Sequence, residues 1–416
     1  MKIKFKYECT LEIDNFKLDH LLAAFKTLLT SLLSSFISQA LQQFGVSLTE
    51  GEANENTLRC PHCGSQRHKW KTHSSSSVFA SFETCYGKIR VPQMQVECRQ
   101  CDKKRYLVRE LLELRPRSRI SPLTEQQLAL MGSLSSYRVC EVSARIFGAA
   151  FSHATIWRCT QKVGRLMNFS VSEDEFGICE ADGTGIPVHG AGVRGRELKV
   201  LIQRNKPETA TKTNSNWRLA GIDIGSYNGS WENLFRPSLE AIKTFDPFYL
   251  TVDGDMGIRK NLKSAKVTIQ RCLWHIPHQL KHSLWQDKIK RKSKLWSSIM
   301  GRAYELTTVP YLLGEDEIAA VLKRKGEVFL ELLRECADNK CAACVSYLKN
   351  ARPDLFHAVS NRIHGKTTSH AERLMRTVNL RINYGKWSHE GALNAMKIRL
   401  AFYYNGFDPS KEREVG

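Results

Sequence analysis

Two Cys-x-x-Cys knuckles constrain this chain more than any other feature. Cys60-Pro-His-Cys63 and Cys98-Arg-Gln-Cys101 stand 34 residues apart. Two such pairs at that separation supply the four thiolates of a tetrahedral zinc site. The intervening chain must then double back, and it has the pattern to do so. Val78 to Phe82 and Lys88 to Glu97 alternate apolar and polar residues as strands do. Residues 57–110 therefore read as a zinc ribbon. Four thiolates leave no open coordination position, so the expected zinc is structural. His62, His73 and Cys85 are further ligands by type and read as bystanders. Beside the ribbon, Arg67-His-Lys-Trp-Lys71 offers positive charge to phosphates.

Charge narrows the partner class. The chain of 416 residues carries a formal net charge of +20 and a pI near 9.4, which favours a polyanion. Eleven Lys and Arg residues fall between Asp253 and Lys294, opposed after Asp253 only by Asp255 and Asp287. The opening Met-Lys-Ile-Lys-Phe-Lys is charged and alternating, unlike a secretory core. Thirteen cysteines in such a chain point to a reducing compartment and to metal binding rather than disulfides. Lys26, Gln39 and Gln42 interrupt the longest apolar stretch, so no membrane span is expected. The expectation is a cytoplasmic, nucleoid-associated protein with no membrane partner.

Before the ribbon, residues 1–50 form an N-terminal region dominated by an amphipathic helix from Leu18 to Phe44. Leu18, Leu22, Phe25, Leu29, Leu32 and Phe36 follow the four-three spacing of a coiled-coil seam. Either the helix packs on its own domain or the seam joins two copies. Gly45 to Asn56 reads as a linker. Beyond the ribbon, residues 120–168 read as three helices. Ser121-Pro122 opens the first, which runs through Gly132; Ser136 to Phe147 form the second; Ser152 caps the third, His153 to Leu166. Helix, short turn, helix is the layout of a helix-turn-helix. With Ile156 and Val163 turned inward, His153, Thr155, Arg158 and Lys162 are left to meet DNA.

From residue 176 the pattern changes to strands: Ile178 to Asp182, Leu198 to Gln203, Trp217 to Ile224, Phe248 to Asp253 and Lys266 to Cys272. A meander followed by strands with an intervening helix predicts a mixed sheet in an α/β domain. Three carboxylates have settings that suit metal ligands. Asp182 lies where an apolar strand runs into a glycine turn. Asp253 ends a β-rich run stopped by Gly254. Glu372 lies in Lys366-Thr-Thr-Ser-His-Ala-Glu-Arg-Leu-Met-Arg, which reads as a capped, basic helix. Three convergent carboxylates can hold two magnesium ions for phosphoryl transfer. Glu180, Asp255 and Asp223 are rivals that spacing alone does not eliminate.

The order Asp182, Trp231, Asp253, Gln270-Arg-Cys-Leu-Trp-His275, Glu372 resembles the DDE transposases of the Mutator-like supergroup, bacterial insertion-sequence enzymes among them. In that family a Cys-x-x-His element follows the second Asp, matched here by Cys272 and His275. A helical insertion precedes the Glu, and the 118 residues between Asp253 and Glu372 leave room for one at about 283–360. The resemblance covers residues 176–405, and Asn361 to Asn383 looks like the family's Glu helix with its basic tail. It implies an RNase H-like catalytic domain with Asp182, Asp253 and Glu372 as ligands of Mg2+ or Mn2+. Cys272 and His275 read as a buried structural pair near the site, or as metal ligands together with His278 or His282. Cys336, Cys341 and Cys344 cluster in the insertion with no fourth ligand in view. Arg373 and Arg376 would contact phosphates. The implied activity is cleavage of element ends and joining of the 3′-OH ends to target DNA, by a homodimer or larger assembly. Two alternatives are a domesticated sequence-specific DNA-binding regulator and an RNase H-like nuclease without strand transfer.

Overall fold

The computed structural model describes residues 18–49, 60, 62–65, 68–71, 79–84, 87–92, 95–106, 109–110, 112, 114, 118–146, 149–189, 195–207, 216–227, 231–262, 265–310, 314–363 and 366–410. The chain divides into two compact units, Met1–Thr160 with Pro409–Gly416, and Gln161–Asp408. Among the described residues no helix is long and apolar enough to cross a membrane.

The first unit opens with α1 (Leu18–Thr49). The helix runs into the stretch expected to be linker: Gly45 to Thr49 are helical, because nothing before Glu50 breaks the pattern. Residues 51–56 lie outside the described residues. Leu41 packs with Phe82 and Val91, and Ser38 Oγ accepts the N–H of Arg90 at 2.9 Å. Nearer its start, Phe25 and Leu29 of the predicted seam are 45% and 63% exposed. The side chains of Leu18 and Leu22 lie outside the described ones.

Five short strands follow: β1 (His68–Lys71), β2 (Phe79–Thr84), β3 (Gly87–Pro92), β4 (Gln95–Cys98) and β5 (Lys104–Tyr106). β2 and β3 pair as a hairpin, while β1, β4 and β5 form an antiparallel sheet in the order β1-β4-β5. The single strand expected from Lys88 to Glu97 is therefore two strands in two sheets. Pro92 is the last residue of β3, and proline has no N–H to continue a ladder. Three helices then appear close to the predicted edges: α2 (Pro122–Leu134), α3 (Tyr137–Ile146) and α4 (His153–Leu166). Ser121 caps α2 by accepting the N–H of Thr124, with Pro122 at the first position. Ser152 accepts the N–H of Thr155 at the start of α4.

The second unit is built on a mixed five-stranded sheet. β6 (Ile178–Ile186), β7 (Arg196–Arg204) and β8 (Trp217–Gly225) form an antiparallel meander. β9 (Phe248–Val252) lies parallel to β6, and β10 (Val267–Arg271) parallel to β9, giving the order β10-β9-β6-β7-β8. Between β8 and β9 stand α5 (Glu232–Phe235) and α6 (Leu239–Thr244); α7 (Met256–Asn261) precedes β10. Residues Trp231, Phe235, Ile242 and Ile258 pack with Leu201, Leu250 and Val252 on one face of the sheet. The other face, with Leu198, Val200 and Ile202, is covered by α13 (Ser369–Ile382) and α14 (His389–Tyr404). With both faces covered, β7 is buried without a break from Leu198 to Gln203, the polar Lys199 and Gln203 included. Between β10 and α13 runs an all-helical segment: α8 (His275–Gln286), α9 (Lys294–Thr307), α10 (Glu315–Asp338), α11 (Ala342–Ala351) and α12 (His357–Ser360). It has its own apolar core, which includes Cys336, Cys341 and Cys344. The fold class is thus α/β, with the expected meander forming part of a mixed five-stranded sheet.

Candidate active site

The sheet brings the predicted carboxylates together. Ala181 of β6 and Val252 of β9 are the last paired residues of two adjacent parallel strands. Asp182 and Asp253 stand one residue beyond them, side by side. Glu372 lies in the first turn of α13, the helix that packs on the face to which β6 turns Asp182. Burial pushes the Asp182 carboxyl up to about 7; His275 opposes that rise, and Asp253 and Glu372 add to it. The N–H of Gly183 donates to Asp182 Oδ1 at 2.9 Å. Asp253 Oδ1 accepts the N–H of Asp255 at 3.0 Å. The donor set is hard oxygen, and its members repel one another, so a divalent cation fits it. Among the described residues, however, only the four cysteines bring three or more ligand atoms within 4.8 Å of one another. The carboxylates interact without closing to that spacing.

β6 does not end in a glycine turn at Asp182, as its sequence predicts. It continues through Gly183 and Gly185 to Ile186. The glycines serve close approach instead of a turn: a Cβ on Gly183 would fall 2.6 Å from Glu197 Oε1, and one on Gly185 would meet the Tyr227 hydroxyl. Nor does the helix bearing Glu372 begin at Asn361; it starts at Ser369, after Thr368.

The rival acids have other partners. Glu180 is fully buried. Its Oε2 accepts the backbone N–H groups of His370 and Ala371 at 3.0 and 2.9 Å, and its Oε1 meets His370 Nδ1 at 2.9 Å. A carboxylate from β6 thereby satisfies free donors at the start of α13, whose own N-cap, Thr368, makes no side-chain cap. The His370 ring also stacks on Trp217 at 4.7 Å. Asp255 caps α7 by accepting the N–H of Gly257 at 2.7 Å, and its other oxygen accepts from Trp231 Nε1 at 2.7 Å. Trp231 thus braces the turn that carries Asp253. Asp223, on β8, lies opposite Lys199 and burial raises its carboxyl. Sequence reasoning missed Glu197, which feels Asp253 and Asp255 and pairs with the fully buried Lys199 at 3.4 Å.

Cys272 and His275 part ways. Cys272 is fully buried, and its Sγ accepts from the backbone N–H and hydroxyl of Thr368 at 3.3 and 3.5 Å. It is a second brace for the start of α13. His275 reaches the carboxylates, with Nε2 3.7 Å from Glu372 Oε1. Its Nδ1 is buried without a hydrogen-bond partner among the described residues. The neighbouring Arg271 is also buried, and its guanidinium occupies the space a Cβ on Gly254 would need; Gly254 has φ +109°. Arg271 lies 3.9 Å from Asp354, which also pairs with Arg259. Tyr347 of α11 sits near enough for its hydroxyl, pushed up to about 12 by burial, to respond to Arg271 and Asp253.

In the first unit Cys60 and Cys101 approach to 3.6 Å between sulfurs, as do Cys63 and Cys98. All four ligand atoms lie within 4.8 Å of one another, so the cluster could hold zinc. Each knuckle closes on a left-handed residue, Gly64 at φ +69° and Asp102 at φ +51°. Backbone N–H groups then aim at sulfur: that of His62 leads in drawing Cys60 down to about 6, and that of Gln100 in lowering Cys98. Such donors favour the thiolates that zinc requires. His62 is exposed, and His73 and Cys85 lie outside the described residues. Cys336, Cys341 and Cys344 are buried and form no comparable group.

On α4, Ile156 and Val163 are buried, as predicted, while His153 and Arg158 are exposed and Thr155 and Lys162 half-buried. His153 Nδ1 meets Glu141 at 2.8 Å, and Thr155 shares its hydroxyl with Ser152 at 3.0 Å. Arg373 and Arg376 are exposed on α13 beside Glu372. No protein-family model matches the chain, and no curated protein is significantly similar to it.

Proposed function

We propose that this chain is a DDE transposase, which cleaves the ends of a DNA element and joins the freed 3′-OH ends to target DNA. The observation that carries this reading is the convergence of Asp182, Asp253 and Glu372 from β6, β9 and α13. The mixed sheet, covered on both faces and interrupted by a helical segment before α13, suits the RNase H-like domain that the sequence resemblance implies. Bound Mg2+ or Mn2+ would supply nucleophile activation and leaving-oxygen stabilisation for both in-line displacements.

The protein's own groups set the stage for that chemistry. Glu180 and Cys272 fix the start of α13 and hence Glu372. Asp255 and Trp231 fix the turn at Asp253. His275 brings its Nε2 to within 3.7 Å of Glu372 Oε1 and so lines the carboxylate group. Arg373 and Arg376 would hold phosphates, giving affinity without sequence readout. In this reading, α2 to α4 form the helix-turn-helix that recognises element ends, through His153, Thr155, Arg158 and Lys162, and the four-cysteine cluster holds structural zinc. Two ends must be cut together, which calls for a homodimer or larger assembly.

The test is magnesium-dependent cleavage and strand transfer on DNA carrying the ends that flank the gene, comparing the parent with Asp253→Ala. Cleavage with joining, lost in the variant, is the expected result. Cleavage without joining would mark a nuclease. Specific binding with no chemistry in the parent would mark a DNA-binding regulator.

A further inference from the structure

Beside the carboxylates the second unit contains a cavity of about 790 Å³. Its walls include Trp274, next in sequence to His275, and Arg373, next to Glu372. Leu273, Val309, Val359 and Ile363 make part of the lining apolar, whereas Arg362 and Lys366 add donors and positive charge. The one carboxylate in the wall, Glu180, is engaged at both oxygens by His370 and Ala371. The cavity therefore combines an apolar body with a cationic rim.

Trp274 gives that combination a specific use. Its ring is held edge-on by His275, centroids 4.9 Å apart at 79°, and lies over His278 at 4.2 Å. Even so, 50% of its surface is exposed. A large, orientationally fixed aromatic surface left open beside cations is the arrangement that binds a base and its phosphates. The volume falls in the range of sites for single small ligands; it takes a nucleotide and is far too small for a duplex. Lys366 is drawn below its ordinary range by burial, and its Nζ donates to the neutral carbonyl of Pro310.

We propose that this cavity receives one unpaired nucleotide of the DNA strand held at the carboxylates, with its base against Trp274 and its flanking phosphates on Lys366 and Arg373. The proposal rests on the reading of the site as one that processes DNA. Withdrawing a base from its stack costs a few kcal/mol, and Trp274 would offset that cost by restacking it. Unpaired ends would then bind more tightly than flush ones.

The test uses the full chain in EDTA, so that no cleavage intervenes. One duplex carries a single unpaired 2-aminopurine at its end; a control carries the same base paired. The expected result is roughly ten-fold tighter binding of the unpaired end, with its fluorescence quenched, since stacking on an aromatic side chain contributes ~1–3 kcal/mol per base. Trp274→Ala should erase both the preference and the quenching, and Trp274→Phe should restore most of each. Equal binding of the two duplexes by the parent, or a preference and quenching that survive Trp274→Ala, would overturn the proposal. If magnesium-dependent cleavage persists in that case, only the cavity assignment fails. If the parent binds neither duplex, the DNA-processing reading fails with it.

Discussion

Replacing Asp182 by asparagine should make the metal-free protein more stable, and only at high pH. Burial, reinforced by Asp253 and Glu372 against the pull of His275, moves this carboxyl from 3.8 to about 7. Each pH unit of displacement corresponds to about 1.4 kcal/mol, which sets a ceiling of about 4 kcal/mol on the cost of ionising Asp182 in the folded chain. Solvent and relaxation reduce that figure, so about 2–3 kcal/mol is expected. The folded state holds the proton more tightly than the unfolded chain between roughly pH 4 and 7; stability therefore falls as pH rises through that window and stays low above it. Asparagine keeps the shape, still accepts the N–H of Gly183 and removes the charge. For a unit the size of Gln161–Asp408, the variant should melt roughly 4–12 °C above the parent at pH 8.5 in EDTA. Near pH 4.5 the two should coincide. Adding Mg2+ should raise the parent and leave the variant nearly unmoved. Thermal melts at the two pH values, with and without Mg2+, decide the matter. An asparagine variant no more stable at pH 8.5, or equally stabilised at pH 4.5, would refute the argument that burial, with Asp253 and Glu372, opposes ionisation of Asp182 in the folded chain.

Glu180→Ala leaves the N–H groups of His370 and Ala371 without their partner; urea unfolding should register a loss of about 2–6 kcal/mol, from ~1–3 kcal/mol per orphaned group. Cys98→Ser should abolish the bound zinc measured by elemental analysis and make Cys60 react with thiol reagents well below pH 8, given its depressed pKa of about 6. Arg373→Gln and Arg376→Gln, both at exposed positions, should leave the melting temperature unchanged while each lowers the salt slope of DNA binding by about one.

Local signals in the sequence were readable wherever local physics decided the outcome. Ligand spacing is short-range, so Cys60, Cys63, Cys98 and Cys101 could be paired from the chain alone. Ser121-Pro122 and Ser152 mark helix starts through caps that act within three residues. Pro92 carried a local signal too, and it argued against the strand drawn through it. What sequence could not convey was the purpose of residues whose partners are remote. Gly183 and Gly185 read as a turn, yet they leave room for Glu197 and Tyr227. Glu180 read as an alternative ligand because the donors it serves lie on a helix 190 residues away. Arg271 sat in plain view within a recognisable motif, but only folding shows it filling the space above Gly254.

The helical segment is pinned at its two ends to adjacent strands, β9 and β10. On the way out, the N–H of Cys272 donates to Val252 O at 2.7 Å just past β10; on the way back, Gln270 Oε1 of β10 accepts the N–H of Ala358 at 2.9 Å. Leu273 N–H then donates to Lys366 O at 3.0 Å, closing the loop before α13 begins. A loop whose ends are already clasped feels its own length weakly, since each doubling adds only about 0.6 kcal/mol of closure entropy. Evolution or an engineer could therefore lengthen, shorten or exchange the helices between these clasps while Asp182, Asp253 and Glu372 keep their places.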